Sequence, residues 1–106
     1  MIKSCYDGDT CITIQEEKIR LACIDTPELK GKRGDPIRAK AAKDYLNDLV
    51  AGTPVTIRRI MRDRYGRTIA ELSKGPTNIQ EKLVEKGFAS IYERYAKQCA
   101  WSKNKL

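Results

Sequence analysis

The chain has 106 residues, 33% of them charged, and a formal net charge of +7, which suits one domain with its own core and is too short for two of ordinary size. It contains no histidine, which excludes a Ser-His-Asp triad, a two-histidine ribonuclease mechanism, a histidine-metal nuclease finger and a Cys2His2 zinc site. Its apolar runs fall far short of the roughly 20 residues a membrane helix needs and the first residues carry no signal-peptide h-region, so a soluble chain with no membrane partner is expected.

The first segment reads as a β-hairpin. "IKSCY" and "TCITI" flank Asp7-Gly8, a pair that tolerates positive φ, so the turn is predicted there, with Asp9 starting the second strand. The next apolar run, "IRLACI" from Ile19 to Ile24, has hydrophobic residues on both faces and suits a central or barrel strand. It must end near Asp25, because Pro27 lacks an amide donor and biases Thr26 toward an extended backbone. "LKGKRG", from Leu29 to Gly34, reads as a basic loop.

Asp35-Pro36 then offers a cap followed by proline at the first helical position, with Ala42, Tyr45, Leu46, Leu49 and Val50 on one side of a helix that ends before Gly52. Val55 to Met61 and Thr68 to Leu72 read as strands joined by "RDRYGR", with Tyr65-Gly66 as its turn. A second helix is capped by Thr77 or Asn78, buries Leu83 and Val84 and stops at Gly87. The remainder begins as a strand and is expected to end in a short helix. This order predicts an α+β, mainly β, fold: one domain over residues 1–106, a five-stranded OB-type Greek-key barrel with two or three helices.

Cys5, Cys11, Cys23 and Cys99 show no C-x-x-C pairing, so a zinc ribbon and a thioredoxin-type motif are excluded. Three of them sit among strand-like apolar residues, and free buried thiols are expected in preference to a disulfide. Five arginines, Arg58, Arg59, Arg62, Arg64 and Arg67, fall within ten residues. Such a cluster suits a polyanionic partner, although a charge run alone is more often a solvated face.

Asp9, Asp25 and Glu28 all fall where strands give way to loops. Each alone is most often a turn or cap carboxylate. Three in one cleft would raise one another's pKa unless a cation sat between them. Without histidine or paired cysteines the donors are oxygens only, which selects calcium or magnesium. Arg20 and Arg67 could fork onto phosphate oxygens. Strand alternation, however, would send Arg20 and Asp25 to opposite faces, so their convergence does not follow from spacing.

The ordered series "DGDT", "RLACIDTPE", "DRYGR" and "NIQEKLVEKGFA" resembles the staphylococcal nuclease (thermonuclease) family over about residues 2–95. The resemblance implies a calcium-dependent phosphodiesterase on an OB-fold barrel, acting on DNA and RNA and leaving 3′-phosphates. It implies that Asp9 and Asp25 ligate Ca2+ through their side chains and Thr26 through its main-chain carbonyl. Glu28 would orient or deprotonate the attacking water, Arg20 and Arg67 would bridge the phosphate, and Arg64 and Tyr65 would hold the neighbouring phosphate and nucleotide. Arg64 stands where the family often has lysine. The chain stops soon after Trp101, so the family's final helix is expected to be shortened; a monomer is the default, with an oligomeric partner for the barrel as the alternative. The rival functions are a barrel that grips single strands without cutting them and a structural calcium-binding domain, which would not need the arginines.

Overall fold

The computed structural model describes residues 1–27, 35–92 and 98–103. β1 (Ile2–Cys5) pairs antiparallel with β2 (Thr10–Thr13), and β2 with β3 (Lys18–Leu21). The expected two-residue turn would set Cys5 opposite Thr10. Instead Cys5 faces Cys11, and the Tyr6 amide bonds to the Thr10 carbonyl at 2.8 Å. That one-residue difference moves Asp9 out of β2 and into the turn. It also brings two cysteines face to face.

The run from Ile19 to Ile24 is not one strand. It breaks at Ala22-Cys23, where Cys23 has φ 70°, and resumes as β4 (Ile24–Asp25). This sharp turn is what cancels the alternation that would have separated Arg20 from Asp25.

α1 (Pro36–Val50) starts as expected, with the Asp35 carboxylate accepting the Arg38 amide, and buries Ala39, Ala42, Leu46 and Val50. β5 (Thr56–Arg62) and β6 (Thr68–Lys74) form the second hairpin, and β6 runs parallel to β3. After β7 (Thr77–Asn78), the Asn78 side chain caps α2 (Ile79–Glu85) by accepting the Glu81 amide. Gly87 at φ 80° ends that helix, in the left-handed conformation glycine tolerates. β8 (Ser90–Ile91) pairs with β4, and α3 (Ala100–Lys103) follows.

The main sheet runs β1-β2-β3-β6-β5 with β7 against β6. The five expected strands are β1, β2, β3, β5 and β6, with α1 inserted between the third and fourth of them, so the α+β OB-type arrangement stands. α1 packs on β1 and α2 on β6, and the core between them holds Ile2, Ile19, Leu21, Leu46, Leu72 and Leu83, all fully buried. Tyr45 of α1 stacks on Phe88 at 4.6 Å between ring centroids.

The expectation of free thiols is corrected. Cys5–Cys11 and Cys23–Cys99 are both disulfides, and among the described residues no cysteine is left unpaired. The first follows from the hairpin register. The second joins residues 76 apart, a proximity that only the tertiary fold creates.

Candidate active site

Three loops contribute to the site. In the first, the Asp7 carboxylate accepts the Asp9 amide at 3.0 Å, which folds the chain back on itself. Gly8 permits this loop to lie against α1 and Thr26: a Cβ there would sit 2.8 Å from both Ala42 Cβ and Thr26 Cγ2. Asp9 is 8% exposed, and its Oδ1 accepts the Thr10 hydroxyl at 3.2 Å. Its carbonyl accepts the Leu21 amide at 2.7 Å, which ties the loop to β3.

The second loop is the β3–β4 turn. Arg20 folds over it, donating from Nη1 to the Leu21 carbonyl at 2.6 Å and from Nη2 to the Ile24 carbonyl at 2.9 Å. Nη2 also lies 3.5 Å from Asp9 Oδ2. The guanidinium is thus oriented by main-chain oxygens and only loosely paired with the carboxylate. The third loop joins β5 to β6. The Asp63 carboxylate accepts the Tyr65 and Arg67 amides at 3.0 and 2.9 Å and the Arg67 Nε at 2.8 Å. Arg67 is anchored to Asp63 through Nε.

Asp9, Arg20, Asp25, Thr26 and Arg67 line one cleft of about 260 Å³, together with Asp7, Thr10 and Pro27. Five of the eight residues singled out in the sequence therefore meet. Arg64 and Tyr65 stand at the tip of the third loop, with Tyr65 68% exposed, Arg64 Nη2 bonded to the Tyr65 hydroxyl at 2.9 Å and both Arg64 and Arg67 over its ring. Glu28 lies outside the described residues.

Burial raises the Asp9 pKa to about 6; Arg20 pulls it down and Asp7 adds to the rise. The carboxylate is therefore short of positive charge in spite of its arginine neighbour. Among the described residues no three carboxylate or thiolate side chains gather tightly enough to hold a metal by themselves. The groups on this cleft able to ligate a metal are all oxygens: the carboxylates of Asp9 and Asp25 from separate segments, Asp7 on the wall, and the oxygens of Thr10 and Thr26. That set fits a hard divalent cation completed by water and does not fit a soft one.

Two contributors were missed. Asp7 was read only as a turn residue, yet it lines the cleft. Asn47 of α1 clasps the main chain of Cys5, its Oδ1 accepting the amide at 2.8 Å and its Nδ2 donating to the carbonyl at 3.1 Å. An asparagine inside a helix on the side facing β1 was the available signal.

The sequence profile described as "Staphylococcal nuclease homologue" matches residues 18–106. The chain belongs to that family. The match begins at β3, so the Asp9 loop precedes it. The chain is similar to an "Uncharacterized endonuclease" of Escherichia coli O157:H7, 37% identical over 93 residues that cover 84% of this chain and 58% of that protein. A Haemophilus influenzae protein of the same description is 37% identical over 94 residues, 85% of this chain and 50% of that one. A "Thermonuclease" of Staphylococcus intermedius is 33% identical over 96 residues, 84% and 56% of the respective chains. The chain spans about half the length of these curated relatives.

Proposed function

We propose that this domain is a calcium-dependent nuclease that hydrolyses phosphodiester bonds of DNA and RNA and leaves 3′-phosphates. The observation that carries this reading is the convergence of Asp9, Arg20, Asp25, Thr26 and Arg67 on one cleft. The relatives' printed names, endonuclease and thermonuclease, support the same class of reaction.

In this reading Asp9, Asp25 and the Thr26 carbonyl hold the cation. When bound, the ion supplies charge neutralisation of the phosphodiester and a Lewis-acidic partner for water. Arg67, held by Asp63 through its Nε, presents its terminal nitrogens to the phosphate oxygens. Arg20, oriented by two carbonyls, lines the same cleft. Two prealigned guanidiniums stabilise the charge that builds on phosphorus without having to reorganise. Glu28 follows Pro27 directly and is assigned to the attacking water as orienter or base. Water oxygen bonds to phosphorus as its proton passes to Glu28 or to solvent, the bond to the 5′ oxygen breaks, and that oxygen takes a proton from solvent and leaves as a hydroxyl. Arg64 and Tyr65 are assigned to the neighbouring phosphate and nucleotide, where the exposed ring can stack.

The test is incubation of plasmid DNA and of RNA with the protein in millimolar calcium, repeated with chelator, with end-group analysis of the fragments. Chelator-sensitive cleavage that leaves 3′-phosphates is expected. Retardation on gels without fragments would favour the strand-binding barrel and overturn the nuclease reading.

A further inference from the structure

On the reading of the cleft as a cation-dependent nuclease site, we propose that the two disulfides position it, so that cation affinity and turnover require both to be oxidised. The two carboxylate-bearing loops are each tied at the base by a cross-link. Cys5–Cys11 joins the end of β1 to β2, and the ring it closes contains Asp7, Gly8 and Asp9. Cys23–Cys99 ties the β3–β4 turn, which lies between Arg20 and Asp25, to the residue that precedes α3. The third loop, which carries Arg67, has no cross-link and is held instead by Asp63.

The β3–β4 turn has particular need of a tie. Cys23 has φ 70°, a left-handed conformation that side-chain-bearing residues adopt at a cost. Arg20 reaches the carbonyls on both sides of Ala22-Cys23, so the guanidinium keeps its direction only while the turn keeps its shape. Ala22, Cys23 and Cys99 are buried in a small cluster of their own, separate from the main core, with Ile60, Ile69 and Trp101 packed against it. The main core holds the two flanks of the turn, Leu21 and Ile24, and the Ala22 amide bonds to the Ala70 carbonyl at 2.8 Å, while the Cys99 bond carries the C-terminal segment onto the tip at Cys23. In the other loop, Asn47 and the disulfide both grip Cys5, directly below Asp7 and Asp9.

A cation shared by two chain segments binds well only when their oxygens are held at bonding separation beforehand. Loss of the groups that orient metal ligands typically lowers metal affinity roughly 10- to 100-fold. The same loss is expected here for either disulfide, with the larger effect from Cys23–Cys99, because that turn sets both Arg20 and Asp25.

The experiment compares the oxidised protein with the Cys23→Ala/Cys99→Ala and Cys5→Ala/Cys11→Ala double variants. A third sample is wild type treated with dithiothreitol. Each protein disulfide takes two electrons and two protons from the dithiol, which closes to its own cyclic disulfide, and thiol labelling confirms which bond has opened. Three quantities are read: the calcium concentration for half-maximal cleavage of single-stranded DNA, Tb3+ affinity by luminescence, and circular dichroism at the assay temperature. Expected are a calcium midpoint and a Tb3+ dissociation constant raised roughly 10- to 100-fold, a lower kcat at saturating calcium, and a folded spectrum. Folded variants with unchanged midpoint, Tb3+ affinity and kcat overturn the proposal. Oxidised wild type that cleaves nothing overturns the nuclease reading instead. Tb3+ affinity then decides the positioning role alone, weakened binding supporting it and unchanged binding refuting it. Should an alanine pair fail to fold, the reduced wild type supplies the same comparison.

Discussion

Two carboxylates flank β3, each with an arginine beside it, and they have opposite fates. Glu17, just before the strand, receives Arg59 through two bonds of 2.9 and 2.6 Å and the Thr68 hydroxyl at 2.8 Å. Its pKa falls to about 2, chiefly through the Arg59 hydrogen bonds. Asp9, at the other end, meets Arg20 at 3.5 Å while that guanidinium is committed to two carbonyls, and burial raises its pKa to about 6. One pair fastens β5 to the start of β3. The other holds charge that Arg20 offsets only in part against burial, the condition in which a bound cation has most to offer.

The comparison is sharpened most by exchanging arginines for alanine at the two ends. Arg67→Ala and Arg20→Ala are expected to lower kcat by roughly 10² to 10³ with little change in folding, because prealigned donors act on the transition state. Arg59→Ala is expected to leave kcat intact and reduce stability. Steady-state cleavage assays beside urea denaturation separate these outcomes, and near-native turnover in either cleft variant would break the distinction.

Asp9→Asn should abolish cleavage and yet raise the stability of the calcium-free protein at pH 8, by roughly 1–2 kcal/mol, by removing a buried charge. The sign follows from linkage. A carboxyl raised from 3.8 to about 6 binds more protons folded than unfolded, so calcium-free stability falls as pH rises through that interval. Calcium should restore it, and calorimetric melts at pH 4.5 and 8 with and without calcium test this; no difference between them would count against it.

Gly8→Ala acts by space alone. Its methyl group would press on Ala42 and Thr26 at 2.8 Å and lift the Asp9 loop, at a cost of roughly 1–3 kcal/mol for overpacking. Equal urea midpoints for variant and wild type would show that the loop has room. The smallest effect is expected at the other end. Glu17→Gln should cost about 0.5–1 kcal/mol at neutral pH because the pair is part-exposed, with turnover unchanged. The Glu17 pKa is depressed from 4.5 to about 2, so its contribution is present above pH 4.5 and fades as pH falls toward 2. The gap between variant and wild type should therefore close in acid, as read from urea midpoints at pH 7 and pH 3.

Much of the fold was legible because its signals are local. Asp35-Pro36, Asn78 and Gly87 begin and end helices through hydrogen bonds made within a few residues. β8 falls where the last segment was expected to begin as a strand, but β7, and β4 as a strand separate from β3, were not legible, since two-residue strands have no periodicity and exist only because a partner lies alongside. At the site, Asp9 and Arg67 could be suspected from their turns. The meeting of Arg20 with Asp25 could not, because it depends on a positive φ at Cys23 that nothing in cysteine's own preferences foretells. Five clustered arginines looked alike in one dimension. In three, Arg58 and Arg59 are held by Glu71 and Glu17, while Arg67 lines the cleft.

From the amino-acid order alone came the oxygen-only chemistry of the site, the mainly β architecture and the positions of the helices. All of these depend on composition or on interactions between near neighbours. The fold alone decided the hairpin register, the two cross-links, and which arginines line the cleft. Those depend on contacts between residues tens of positions apart, whose geometry is set only when strands and helices pack on a shared core.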